Sequence, residues 1–206
     1  MDAGGKVLAK QGERTVAGFE KSHRALATLA ELDKPNLMRD GPVKAAVFIA
    51  KLQLGKFSLG SAGTRRGPLS LDKAQQKIYD QEIVNLTVSD HYDKARQNRD
   101  YTGIGPKFVV MKNAGRIPTG IYSRNFWSQI MLHAKKERDA KLYEESYREY
   151  KNILGDDKRY QRIFDRYDAT LEALKNGEPV PGSQRRAAVR SRRAAGAAKV
   201  ERIKHR

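Results

Sequence analysis

Two stretches of the chain, residues 55–70 and 103–122, are rich in Gly and Pro and contain no acidic side chain. Glycine weakens helix and strand interiors through its backbone entropy, and proline removes a hydrogen-bond donor, so such stretches interrupt regular structure. They cut a 206-residue chain into pieces of helical length. The fold class expected is therefore mainly α. It would be a small helical body joined by Gly/Pro-rich basic connectors and followed by a basic C-terminal extension.

The apolar spacing between the breaks supports this reading. Within Gln11 to Leu32, residues Val16, Phe19, Leu26 and Leu29 recur at near-helical intervals, and Pro35 stops the pattern. Asp40-Gly41-Pro42 offers an N-cap and a first-turn proline for a second helix on which Val43, Val47, Ala50 and Leu54 share a face before Gly55. Residues 1–54 thus read as N-terminal helices. In residues 71–102, Ser70 is a cap candidate and Ala74, Ile78, Tyr92 and Ala95 share a face; the β-branched run Ile83 to Val88 competes as a strand, and helix is favoured.

Residues 55–70 read as a loop, because Gly55, Gly60, Gly63 and Gly67 stand too close together for a regular element. In 103–122 the only ordered signal is strand-like, Lys107 to Lys112, which would pair with residues 116–122 through an Asn113-Ala114-Gly115 turn or lie against another molecule. Residues 123–176 predict an antiparallel helical hairpin. Its first helix is capped by Ser123 and runs through Trp127, Met131, Ala134, Tyr143, Tyr147 and Tyr150 to Gly155. Its second restarts at Asp156-Asp157 and runs through Tyr160, Phe164, Tyr167 and Leu174 to Gly177. Tyrosines at this spacing pack their rings, so the seam is expected as core.

Several function classes are excluded or lack support. The chain has no cysteine, which removes disulfides, thiolate metal sites and cysteine nucleophiles. No apolar run approaches the roughly 18 residues of a transmembrane helix, so no membrane insertion is expected. Gly60 to Gly67 has the glycines of a phosphate loop but not the Gly-Lys-Ser/Thr ending of a Walker A motif. His23, His91, His133 and His205 are too scattered for a metal site; His91 lies between Asp90 and Asp93, but neighbours on a helix point to different faces. Ser123, Ser128 and Ser146 lack a nucleophile-elbow setting. The sequence therefore predicts no cofactor, no metal and no enzyme. Asp2, Glu13 and Glu20 among the early basic residues weaken a transit-peptide reading. An intracellular setting is expected, with cytoplasm and organelle interior both open.

The positive signal is where the charge lies. The net charge is +17, with charged residues at 32% and hydrophobic ones at 39%. Segment 123–176 interleaves 12 basic with 10 acidic residues, as a solvated helix face does. Each connector instead carries three basic residues and no acid, and residues 185–206 carry nine against one; these three stretches hold 14 of the 17 excess charges. An acid-free segment has no internal compensation and is best neutralised by a polyanion. The candidate phosphate-contacting residues are Lys56, Arg65, Arg66, Lys107, Lys112 and Arg116 in the connectors. In the 177–206 tail they are Arg185, Arg186, Arg190, Arg192, Arg193, Lys199, Arg202, Lys204 and Arg206. Phe57, Phe108, Tyr101 and Tyr122 could stack on bases, although anchoring of the connectors to the body is the favoured reading.

A near-neutral body with basic extensions resembles ribosomal proteins in layout, with no diagnostic motif. The expected function is a non-catalytic, RNA-binding structural component of a large ribonucleoprotein, a ribosome first among them, contacting rRNA phosphates and neighbouring proteins. The alternatives are an architectural protein on an acidic lattice such as a microtubule, and a viral DNA-packaging or virion protein. Clustered arginine, whose fork fits phosphate oxygens, favours RNA over acidic protein.

Overall fold

The computed structural model describes residues 16–37, 40–67, 69–155 and 157–181. All regular structure among them is helical: α1 (Val16–Leu32), α2 (Gly41–Gln53), α3 (Leu59–Arg66), α4 (Lys73–Asn98), α5 (Ile104–Asn113), α6 (Ile121–Glu137), α7 (Ala140–Leu154), a 3-10 turn (Lys158–Tyr160) and α8 (Gln161–Lys175). The chain divides into two units between Gln129 and Ile130, within α6.

In the first unit α1 packs along α2, and α4 receives α2, α3 and α5. Asp40 stands extended before α2 with Pro42 in the first turn, as the sequence predicts, and the chain leaves through Gly55 at φ +66°. More of α2 is buried than the expected single face. Ala45, Val47, Phe48, Ile49, Ala50 and Leu52 are all inside, because α1 covers one side and α3 and α4 the other. Phe48, Ile49, Leu52 and Ala62 form a core ringed by Phe57, Leu69, Leu71, Ile78, Tyr79, Ile83 and Leu86.

Several expectations in this unit are corrected. The Gly-rich connector 55–70 is not wholly irregular: Ser58 and Ser61 form a reciprocal capping box that starts α3, and Ala62 pins the helix to the core. A cap satisfies orphan amides and so offsets the entropic cost of Gly60 and Gly63. The strand-like run Lys107 to Lys112 is helical. Ile104, Phe108 and Met111 are buried at i, i+4 and i+7, and Pro106 falls in the first turn of α5, where its missing N–H is tolerated. On α1 the expected inward residues Val16 and Phe19 are 78% and 64% exposed, while Gly18 and Ala25 face inward. Small residues there let α1 lie close to α2.

Helix α4 begins later than expected. Asp72 accepts from the Gln75 amide at 2.8 Å while Gln75 returns a bond to the Asp72 amide, so Asp72 rather than Ser70 is the N-cap. The run Ile83 to Val88 is helical, and Ala74, expected inside, is exposed. α4 ends at Arg99 in the left-handed region, φ 53°; the Arg99 and Asp100 amides return to the carbonyls of Arg96 and Ala95.

The single helix expected from Ser123 to Gly155 is two helices, α6 and α7. Arg138 adopts φ 60°, the Asp139 amide closes on Ala134 O at 2.9 Å, and the Asp139 carboxylate caps α7 by accepting from the Leu142 amide. An N-capping aspartate two residues past the end of α6 restarts the helix on a new axis. Ser123 does not cap: α6 starts at Ile121, and the Ser123 hydroxyl donates to Pro118 O. Tyr143, Tyr147 and Tyr150 of α7 are buried, with Tyr147 and Tyr150 against the Tyr167 ring and Tyr147 also against Phe164. Glu144 meets Lys175 at 2.7 Å, so the start of α7 lies by the end of α8. The expected end points Gly155 and Gly177 have φ +65° and +73°.

Candidate nucleic-acid interface

Both acid-free connectors fold back on α4, by different means. At the end of α3 the Arg66 guanidinium donates to Leu69 O at 2.9 Å and to Gln76 Oε1 at 3.0 Å, and lies 5.9 Å from the Tyr79 ring centre. Arg66, a candidate for phosphate contact, is therefore engaged within the chain. Its work is to tie the first connector to α4. Phe57 of the same connector packs on Phe48 with centroids 5.4 Å apart. Lys56 and Arg65 remain exposed on the outside of this anchored segment.

The second connector is held at two levels of α4. Phe108 of α5 is fully buried and meets His91 and Tyr92 at 6.0 Å. After α5, Ile117 O accepts from Gln81 Nε2 at 3.1 Å, and Thr119 accepts from Asn85 Nδ2 while its amide donates to Asn85 Oδ1 at 2.9 Å. Lys107 and Arg116 are exposed, and Lys112 is half-buried. At 100° per residue, Gln76 and Tyr79 lie roughly opposite Gln81, Asn85 and Tyr92 around α4. The candidates thus form two basic patches on different sides of one helix rather than a single patch. The tail candidates Arg185, Arg186, Arg190, Arg192, Arg193, Lys199, Arg202, Lys204 and Arg206 lie outside the described residues.

The aromatic residues mostly serve the body. Phe57 and Phe108 are anchors, and Tyr122 is half-buried, with its phenol held above its ordinary pKa first by burial and then by Glu82 and Asp93. Tyr92 is pushed up to about 12 by burial, partly offset by a hydrogen bond with Gln129. Tyr101 is exposed and stands 6.3 Å from Tyr92.

Several cations outside the connectors are ion-paired, while exposed Lys44, Lys73, Lys77, Lys141 and Arg162 have no ion pair among the described residues. Lys21–Glu82, Lys51–Asp33, Lys94–Asp90, Arg96–Asp93, Arg159–Asp157 and Lys175–Glu144 are paired. Lys56, Arg65, Lys107 and Arg116 have no ion-pair partner among the described residues. Lys107 instead acts on His91, whose pKa is lowered first by burial and then by Lys107, with Asp90 opposing and Lys94 adding.

One buried polar cluster lies outside every expectation drawn from the sequence. Glu82, 8% exposed, accepts from Lys21 Nζ at 2.5 Å and from Asn85 Nδ2 at 3.2 Å, linking α1, α4 and the Thr119 segment. Beside it Gly18, Ser22, Gln53, Leu86 and Tyr122 help to line a cavity of about 130 Å³. The available signal was Glu82 and Asn85 at i, i+3 among Ile83, Val84, Leu86 and Val88, polar positions on an otherwise apolar turn. The cluster is internally neutralised, and its function is to lock three segments together. Asn85 is itself buried in it.

No group of three metal-ligating side chains occurs among the described residues, and no helix among them is long and apolar enough to cross a membrane. Comparison with protein-family models, curated proteins and solved structures finds no match to this chain.

Proposed function

We propose that the chain is a non-catalytic RNA-binding component of a large ribonucleoprotein, its helical body presenting basic connectors and tail to the phosphate backbone. One observation carries the reading. Lys56, Arg65, Lys107 and Arg116 stand exposed on anchored segments that carry no acidic side chain of their own, and none has an ion-pair partner among the described residues, whereas residues 123–176 interleave 12 basic with 10 acidic side chains. Cations held in place and left uncompensated lose little conformational freedom when an anion arrives, and they release its counterions. Two patches on different sides of α4 suit a body wedged between RNA segments better than one lying on a single duplex.

The test is the salt dependence of binding to a structured RNA by the full chain and by a variant with Lys56, Arg65, Lys107 and Arg116 all changed to Gln. If all four sit at phosphates, the slope of log K against log salt should fall by about 3. An unchanged slope, or equal affinity for tubulin polymer or poly-glutamate at matched charge, would overturn the proposal and favour an acidic protein partner.

A further inference from the structure

We propose that the solvent face of α1 is a self-association surface, pairing antiparallel with α1 of a second copy of this chain about a two-fold axis at His23. The face is unusual for so charged a protein. Val16, Phe19, His23, Ala27 and Ala30 lie along its outer side, all exposed, with no Lys, Arg, Asp or Glu in the stripe. A surface helix normally turns its charged side outward.

The stripe is self-complementary in both size and charge. An antiparallel pair centred on His23 sets Phe19 opposite Ala27 of the second copy and Val16 opposite Ala30. Large residues thus meet small ones at both ends, which is how helix faces interdigitate. The Phe19 ring stacks on His23 at 6.4 Å, so the bulky half of the stripe is one continuous ridge. Glu20 and Arg24 flank it on one side. In an antiparallel pair that flank faces its own copy, which brings Glu20 to within two residues' rise, roughly 3 Å, of Arg24 of the other chain, and the reverse. Within one chain these two groups are 3.9 Å apart and strongly exposed, so they are free to exchange partners. Repulsion between two +17 chains does not oppose this locally, since charges beyond about 8 Å are screened at physiological ionic strength.

The contact is small. A 17-residue helix is roughly 25 Å long, and its face covers well under the roughly 800 Å² per partner of a standard stable interface. The association is therefore expected to be weak in dilute solution.

The absence of native cysteine makes a weak pair trappable. At an interaxial distance of 8–10 Å the two position-23 Cα atoms fall within about 7 Å, inside disulfide range. In the otherwise unchanged full chain, His23→Cys should oxidise to a covalent dimer about tenfold faster than Gln97→Cys, an exposed control on α4. Adding Phe19→Ala to His23→Cys should remove most of that excess. Glu20→Arg and Arg24→Glu should each slow trapping, and the double swap should restore it. Equal trapping rates at positions 23 and 97 would overturn the proposal and give the face to a different protein; failure of the double swap to rescue would overturn the antiparallel register. Circular dichroism of each variant separates a lost contact from a lost helix.

Discussion

His91 meets Phe108 edge-on at the α4–α5 contact, with Lys107 and Lys94 as its cationic neighbours and Asp90 as the opposing charge. Burial and the two lysines disfavour the imidazolium, so the folded-state pKa lies below the ordinary 6.5. The unfolded chain then binds a proton more readily than the folded one. This contribution to stability is complete above pH 6.5 and is lost as the pH falls through the folded value. A urea midpoint followed from pH 7.5 to 5 should fall more steeply for the native chain than for His91→Gln, which has no such proton to take up. A second residue-scale expectation concerns Ser146, fully buried in α7 with no hydrogen-bond partner for its hydroxyl among the described residues. Ser22, Thr28, Thr64, Thr87 and Thr170 solve the same problem by donating to the carbonyl four residues back. Ser146→Ala removes an unsatisfied group and raises helix propensity. It should raise stability by up to about 1 kcal/mol, or a Tm gain of roughly 2–4 °C, read by calorimetry.

At the scale of elements, helix ends decided where reading the sequence succeeded. Asp40-Gly41-Pro42, Gly155 and Gly177 were legible because each combines a residue type with one dominant backbone preference. α3 and α5 were not. Their glycines and prolines are breakers by type, and only a Ser58–Ser61 capping box and a core contact through Ala62 or Phe108 make them helical. Tertiary packing overrides propensity in short helices because propensity alone seldom sustains fewer than about 12 residues. The split between α6 and α7 was missed because its signal is an arginine in the left-handed region followed by a capping aspartate, where a glycine would have announced it. α4 ends on a second such arginine, Arg99, whose side chain is exposed. A non-glycine residue there costs about 1 kcal/mol. Arg99→Gly should recover part of that, shifting the urea midpoint upward without changing the m-value. A fall in midpoint would mean that the Arg99 side chain makes a stabilising contact with the chain.

The candidate basic residues could be found in the sequence because an acid-free run is a property of composition. Which of them stay available depends on folding. Arg66 turns inward to Leu69, Gln76 and Tyr79, while Arg65, its neighbour, stays out, a difference set by the helical phase of α3. The molecule thus divides its excess charge between anchored cations on the connectors and a denser set in residues 185–206, nine basic against one acidic. These should contribute differently to binding. Removing residues 182–206 takes away more charge than neutralising four connector residues. The salt slope of RNA binding should therefore fall by up to about 7, with little change in helical ellipticity of the remaining chain. The connector variant should lose less slope. Its loss in affinity per charge measures what anchoring on the helical body adds to how those cations hold phosphate. Isothermal titration of the truncated chain, the connector variant and their combination against one RNA, at three salt concentrations, measures both quantities. Equal loss per charge in the two variants would mean that folding adds nothing to how the connectors hold phosphate.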